Sequence, residues 1–155
     1  MKKSHIAWIV VAVVIGVVMI AGPTILVFGG IAYEIGHSND AEIEIDSYRL
    51  CQDEDGDDVI IVKYLLKNDG DEPTALYYEG DFYVYQNGIG LSECVESLPE
   101  KCDYDPEDRF KNIKGGVEYY AEIAYYLEDA DADVEVEVDD YSFFNNKKEK
   151  VFSIR

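Results

Sequence analysis

The sequence predicts an all-β domain, an immunoglobulin-like antiparallel β-sandwich of about seven strands, preceded by one N-terminal transmembrane helix. Three observations predict it. Beyond residue 42, apolar and polar side chains alternate with period two in one segment after another, the pattern of strands that bury one face. Turn-forming residues separate those segments at intervals of about ten residues. An uncharged, mostly apolar stretch runs from Ile6 to Tyr33, and nothing like it recurs in the 155-residue chain.

That stretch, IAWIVVAVVIGVVMIAGPTILVFGGIAY, is long enough as a helix to span about 42 Å at about 1.5 Å per residue. A bilayer core is about 30 Å thick. In hydrocarbon every backbone group must bond internally, which enforces helix even on valine and isoleucine, and Gly22-Pro23 would kink it. Lys2 and Lys3 precede the stretch; the next base is Arg49, after Glu34, Asp40, Glu42 and Glu44. Basic flanks stay cytoplasmic. The expected organisation is therefore a cytoplasmic N-terminus (1–5), a transmembrane anchor (6–33), a linker (34–41) and an extracellular domain (42–155). The competing reading is a cleaved signal peptide, for which Gly30-Ile31-Ala32 offers small residues. The apolar run is much longer than the 7–15 residues or so of a secretory core. No cysteine stands at its end to carry a lipid.

Strands are expected at Ile43–Leu50, Val59–Lys67, Ala75–Tyr78, Phe82–Gln86, Val117–Leu127, Asp133–Val138 and Val151–Arg155. The most apolar of them, Val59–Lys67, is expected at the centre of a sheet. Asn87-Gly88 is the strongest short hairpin signal in the chain, with Ile89–Cys94 as its return arm. Residues 95–116 show no clear strand.

Residues 1–33 carry +2; the remaining 122 hold all 33 acids against 11 bases, a balance of −22. Such a field repels nucleic acid and anionic headgroups, which excludes nucleic-acid binding. Disorder is outweighed by the wealth of tyrosine, valine and isoleucine. The only histidines, His5 and His37, lie outside the domain, so no general base near neutral pH is held by a strand. The expectation is no enzyme, no catalytic residue and no cofactor.

Three groups of residues could carry chemistry. Cys94 and Cys102 flank a short loop and are expected to pair as a staple, leaving Cys51 over; pairings of Cys51 with either remain open. Asp53, Asp55 and Asp57, in the run DEDGDD, are weak calcium candidates. They lack the spacing of a calcium loop, and an acidic hairpin tip is the default. The chain has 13 tyrosines. If Phe82 and Val84 face the core, Tyr83 and Tyr85 face outward, and by the same reasoning so do Tyr120 and Tyr126. On neighbouring strands these four would form an aromatic patch for a protein or a glycan, although tyrosine is also simply a good strand residue.

The run VIIVKYLLKNDGDEPTALYYEGDFYVYQNG and the later IKGGVEYYAEIAYYL resemble the uncharacterised extracellular immunoglobulin-like (telokin-like) domains of Gram-positive bacterial membrane-anchored proteins and lipoproteins. The shared pattern is Lys-Asn-x-Gly/Asp-x-x-Pro after a long strand, Gln-Asn-Gly after an aromatic one, and Lys-Gly-Gly opening the next. The resemblance covers roughly residues 42–155 and implies a surface-exposed sandwich with no established catalytic residues. The expected function is a membrane-tethered extracellular binding module using the tyrosine face or the 95–116 loop. An acidic structural or protective surface protein, or a calcium-dependent module, stands as the alternative.

Overall fold

The computed structural model describes residues 41–141 and 147–155, together with the backbone of Val27–Phe28 and Ile31–Ala32. The chain divides into one unit of residues 1–37 and another of 38–155. In the first, β1 (Val27–Phe28) pairs antiparallel with β2 (Ile31–Ala32). These four residues fall inside the stretch expected to be helical, and they form paired strands instead. The rest of 6–33, the cytoplasmic N-terminus and residues 34–40 of the linker lie outside the described residues. No described helix is long and apolar enough to cross a membrane.

The second unit is all-β, with two antiparallel sheets. β3 (Ala41–Gln52), β4 (Asp58–Asn68) and β7 (Val117–Tyr126) form one, in the order β3-β4-β7. β5 (Gly80–Gln86), β6 (Ile89–Gly90), β8 (Val134–Asp140) and β9 (Lys147–Phe152) form the other, in the order β6-β5-β8-β9. Period two puts Ile43, Ile60, Val62, Tyr64, Leu66, Ala121 and Ile123 of the first sheet against Val84, Val134, Val136, Val138 and Phe152 of the second, in one shared core. Aromatic rings stitch the two together: Tyr64 meets Phe82 at 4.9 Å and Tyr48 meets Phe152 at 4.7 Å between ring centroids.

Several sequence expectations acquire a physical cause here. In β3 the apolar positions switch from odd (Ile43, Ile45) to even (Tyr48), which strict alternation forbids. A register shift between Ile45 and Ser47 makes the switch. β4 is central, as expected, and its second apolar set (Val59, Ile61) is buried too. Those two residues sit under a smaller outer core with Cys94, Cys102 and Ala124, covered by Leu98 and Tyr104 of the long loop. Asn87 and Gly88 adopt φ of 50° and 76°, the left-handed pair that a two-residue hairpin requires.

Three strand expectations fail. The last strand is Lys147–Phe152, not Val151–Arg155: it starts four residues earlier, and residues 153–155 lie beyond its end. Ala75–Tyr78 is not a strand: Leu76–Tyr78 is a single 3-10 turn with Leu76 buried as its anchor. Of the expected return arm, Ile89–Gly90 pairs with β5, and the Leu91 amide donates to the Val84 carbonyl at 2.7 Å. The chain then crosses to the other sheet, where Glu93 bridges to Tyr125 and the Cys94 amide donates to the Ala124 carbonyl at 2.8 Å.

Candidate binding face

The four sequence-predicted tyrosines do not form one patch. Tyr83 and Tyr85 lie on β5, stacked with ring centroids 6.5 Å apart. Tyr120 and Tyr126 lie on β7, which belongs to the other sheet. Because both strands turn their alternate residues into the shared core, the two pairs point away from each other, on opposite outer faces. Tyr120 carries the Lys63 ammonium 4.6 Å above its ring, while Tyr126 packs on the outer core beside Cys94. Alternation sets which face of its strand a tyrosine takes, but not which sheet that strand joins.

What gathers around Tyr83 is a different set. Tyr77 and Tyr78 project from the 3-10 turn that Leu76 anchors, with ring centroids 5.4 Å apart. Phe110, from a second such turn (Asp108–Phe110), meets Tyr77 at 4.8 Å. The Arg109 guanidinium lies 5.6 Å from the Tyr77 ring centroid and 4.7 Å from that of Phe110, and it is ion-paired with Glu93. Tyr141 leaves the end of β8 with its amide donating to the Glu79 carbonyl and its hydroxyl to Asp81 Oδ1, both at 2.8 Å. That hydrogen bond to Asp81 holds the Tyr141 phenol above its ordinary value, with burial and the nearby Tyr83 and Tyr77 adding to it. Tyr83 is raised chiefly by the Asp81 charge, then by burial and by Asp139. The result is a ridge running from Tyr78 through Tyr77 and Tyr141 to Tyr83 and Tyr85. Tyr78, Tyr77, Tyr141 and Tyr83 are 63%, 51%, 50% and 41% exposed. The Tyr77-Tyr78 pair was visible in the sequence, but a strand there would have sent the two rings to opposite faces.

The cysteines are connected otherwise than expected. The bridge joins Cys51 to Cys102, with Cα atoms 5.8 Å apart, and Cys94 is the buried free thiol. The reason is the crossing of 91–94 to β7: it buries Cys94 beside Val59, Ile61 and Ala124, while Cys102, on the turn Glu100–Cys102, comes down on the end of β3. Arg49 adds a second fastening. Its guanidinium donates to the Cys102 carbonyl at 3.0 Å and the Asp103 carbonyl at 2.6 Å, and it pairs with Glu122. The first half of the 95–116 loop is thus a bolted cover, and only its second half reaches the ridge.

In the acidic turn, Asp53 Oδ1 accepts from the amides of Asp55 and Asp57, both at 2.9 Å. The carboxylate organises the turn itself, and among the described residues no group of three or more potential ligands converges on a metal position.

Residues 31–140 match the model of a family described as a domain of unknown function (DUF5067). Among solved structures, the chain is similar to one titled "Structure of a putative lipoprotein from Staphylococcus aureus subsp. aureus NCTC 8325". The identity is 19% and the TM-score 0.55, over 75% of this chain and 85% of that one; at that identity the likeness is one of fold. No curated protein matches.

Proposed function

The chain belongs to the DUF5067 family, and on that footing we propose that it is a non-enzymatic, membrane-tethered module that binds a protein or a glycan outside the cell, through the aromatic ridge. The observation that carries this reading is the ridge itself. Tyr77, Tyr78, Tyr83 and Tyr141 are each about half exposed; Tyr77 meets Tyr78, and Tyr141 is hydrogen-bonded to Asp81 and feels both Tyr83 and Tyr77, although the same chain buries Tyr64 and Tyr125 without difficulty. Contiguous exposed aromatic surface is the usual mark of an interaction site, and tyrosine joins apolar area to a hydroxyl at low entropic cost. The tether rests on the uncharged stretch 6–33 and its basic flank. The lipoprotein title of the fold neighbour supports a place at the outer membrane face. The reading takes the two-sheet fold as immunoglobulin-like.

Cross-linking on intact cells tests it. Tyr77→Ala with Tyr141→Ala should reduce the recovery of cross-linked partners severalfold, while Tyr120→Ala, on the opposite face, should leave it unchanged. Equal recovery from all three proteins would remove the ridge as the docking face. Protease added outside the cells should shorten the chain to its membrane-protected N-terminal part.

A further inference from the structure

We propose that the partner of the ridge is cationic: a lysine- or arginine-rich polypeptide segment lying along β5, with its ammonium or guanidinium groups over Tyr83 and Tyr85 and between the carboxylates beside them. The inference rests on the ridge being the binding face and names what it takes.

The argument begins with register. β5 and β8 pair so that Asp81 stands opposite Asp139, Tyr83 opposite Glu137 and Tyr85 opposite Glu135. Since Val84, Val136 and Val138 face the core, these six residues share the outer face. Two tyrosines therefore lie side by side with a row of carboxylates, where cross-strand partners are nearest neighbours. Among the described residues, cations neutralise only part of the row: Lys147 stands opposite Asp139 on β9. Lys147 reaches Glu137 at 2.9 Å and Glu149 at 2.8 Å, and no described lysine or arginine forms an ion pair with Asp81, Glu135 or Asp139. The upward shift of the Tyr83 phenol reports the same field, because Asp81, Asp139 and Glu137 all contribute to it.

Beyond Tyr85 the face runs into an open cavity of about 740 Å³. Asp129, Asp131, Asp133 and Glu135 line it, and among the described residues Arg155 is the one base there. The Arg155 Nε donates to the Asp131 carbonyl at 2.8 Å.

The chemistry selects the partner. A neutral glycan could stack on the rings but would desolvate the carboxylates beside them without recompense, and an anion would be repelled. A cationic side chain gains from both, since the ring face and the carboxylate attract the same charge. The chain makes such contacts internally: Lys63 lies over Tyr120 at 4.6 Å, and Lys150 over Phe152 at 5.3 Å.

The test uses the full chain in nanodiscs of uncharged lipid. The probes are a ten-residue oligolysine, a ten-residue oligoglutamate and a neutral chitin hexasaccharide. Affinity is read by calorimetry and location by tyrosine ring resonances. Oligolysine should bind and shift Tyr83, Tyr85 and Tyr141, and the other two probes should not. Tyr83→Ala with Tyr85→Ala, which alters no charge, should weaken oligolysine about tenfold. Asp81→Asn with Asp139→Asn should weaken it comparably. Glu96→Gln with Glu118→Gln, which removes the same charge elsewhere, should change it less than about twofold. Circular dichroism of each variant confirms folding. Unchanged affinity in the tyrosine variant would mean delocalised charge attraction and overturn the proposal. Hexasaccharide binding at the same rings, without oligolysine binding there, would overturn the cationic partner yet keep the ridge as a docking face. If none of the probes shifts the ridge tyrosines, the ridge and the cationic partner fall together.

Discussion

Gln86 is buried to 2% exposure, a costly place for an amide, and all of its capacity is used. Its Nε2 donates to the carbonyls of Asp129 at 2.7 Å and Ala132 at 2.9 Å, while its Oε1 accepts from the amides of Glu128 and Asp129 at 2.9 and 3.1 Å. One side chain thereby holds the whole β7–β8 turn. Asn68 does the same for another turn, donating to the carbonyls of Glu72 and Ile113, each at 2.9 Å, and accepting from the Gly70 amide at 3.2 Å. Gly115 completes that corner: a Cβ there would stand 2.0 Å from the Gly70 carbonyl oxygen. Gln86, Asn68 and Gly115 belong to the three motifs that carry the family resemblance. Those motifs mark the scaffold, since each one secures a turn, and they carry no information about the ligand. Gln86→Leu should cost about 3 kcal/mol, because four backbone groups lose their partner at once. Urea unfolding would show it as a lower midpoint at unchanged slope.

Among the elements, the outer core is the least expected. A three-stranded sheet has two faces, and β4 is apolar on both because one is covered by the other sheet and one by its own loop. The Cys51–Cys102 bridge, spanning a separation of 51 residues, locks that cover in place. On the chain-entropy model a bridge of that span contributes about 4 kcal/mol. Cys51→Ser should therefore lower the unfolding midpoint sharply, whereas Cys94→Ala, which deletes only a small buried sulfhydryl, should cost far less. Peptide mass mapping under non-reducing conditions should recover residues 51 and 102 joined. On the opposite side, β9 closes the open edge with lysines: Lys148 Nζ donates to the Ile43 carbonyl at 2.5 Å and Lys150 Nζ to that of Asp46 at 2.5 Å. Carbonyls on the β3 edge are thus occupied from within the chain, a common defence of exposed strands.

At the scale of the molecule, charge and buried phenols set the conditions of stability. Burial pushes Tyr64 and Tyr125 well above the ordinary tyrosine value, and it pushes Tyr104 up to about 12. An unfolded tyrosine ionises near 10. Above that pH the folded state holds protons that the unfolded state has released, so stability falls with rising pH. It should be fully present below about pH 10 and lost as the pH climbs through 12. A thermal midpoint that is flat up to pH 9 and falls steeply beyond 10 would confirm the sign. Tyrosinate absorbance should lag for the buried rings until unfolding.

Most of the strands, the central place of β4, the Asn87-Gly88 hairpin and the negative charge of the domain are legible in the residues alone, whereas the turn at Leu76–Tyr78 is not. Alternation, turn chemistry and composition are local properties, and each is written within a few adjacent residues. Which residues meet is a matter of packing. It put Tyr120 on the far side from Tyr83, drew Tyr77, Phe110 and Tyr141 together from three separate turns and strand ends, and gave Cys102 to Cys51 instead of to Cys94. Those outcomes depend on which sheet a strand joins and where a loop crosses between sheets. Such crossings are set by the packing of the whole core, and no short stretch of residues carries them.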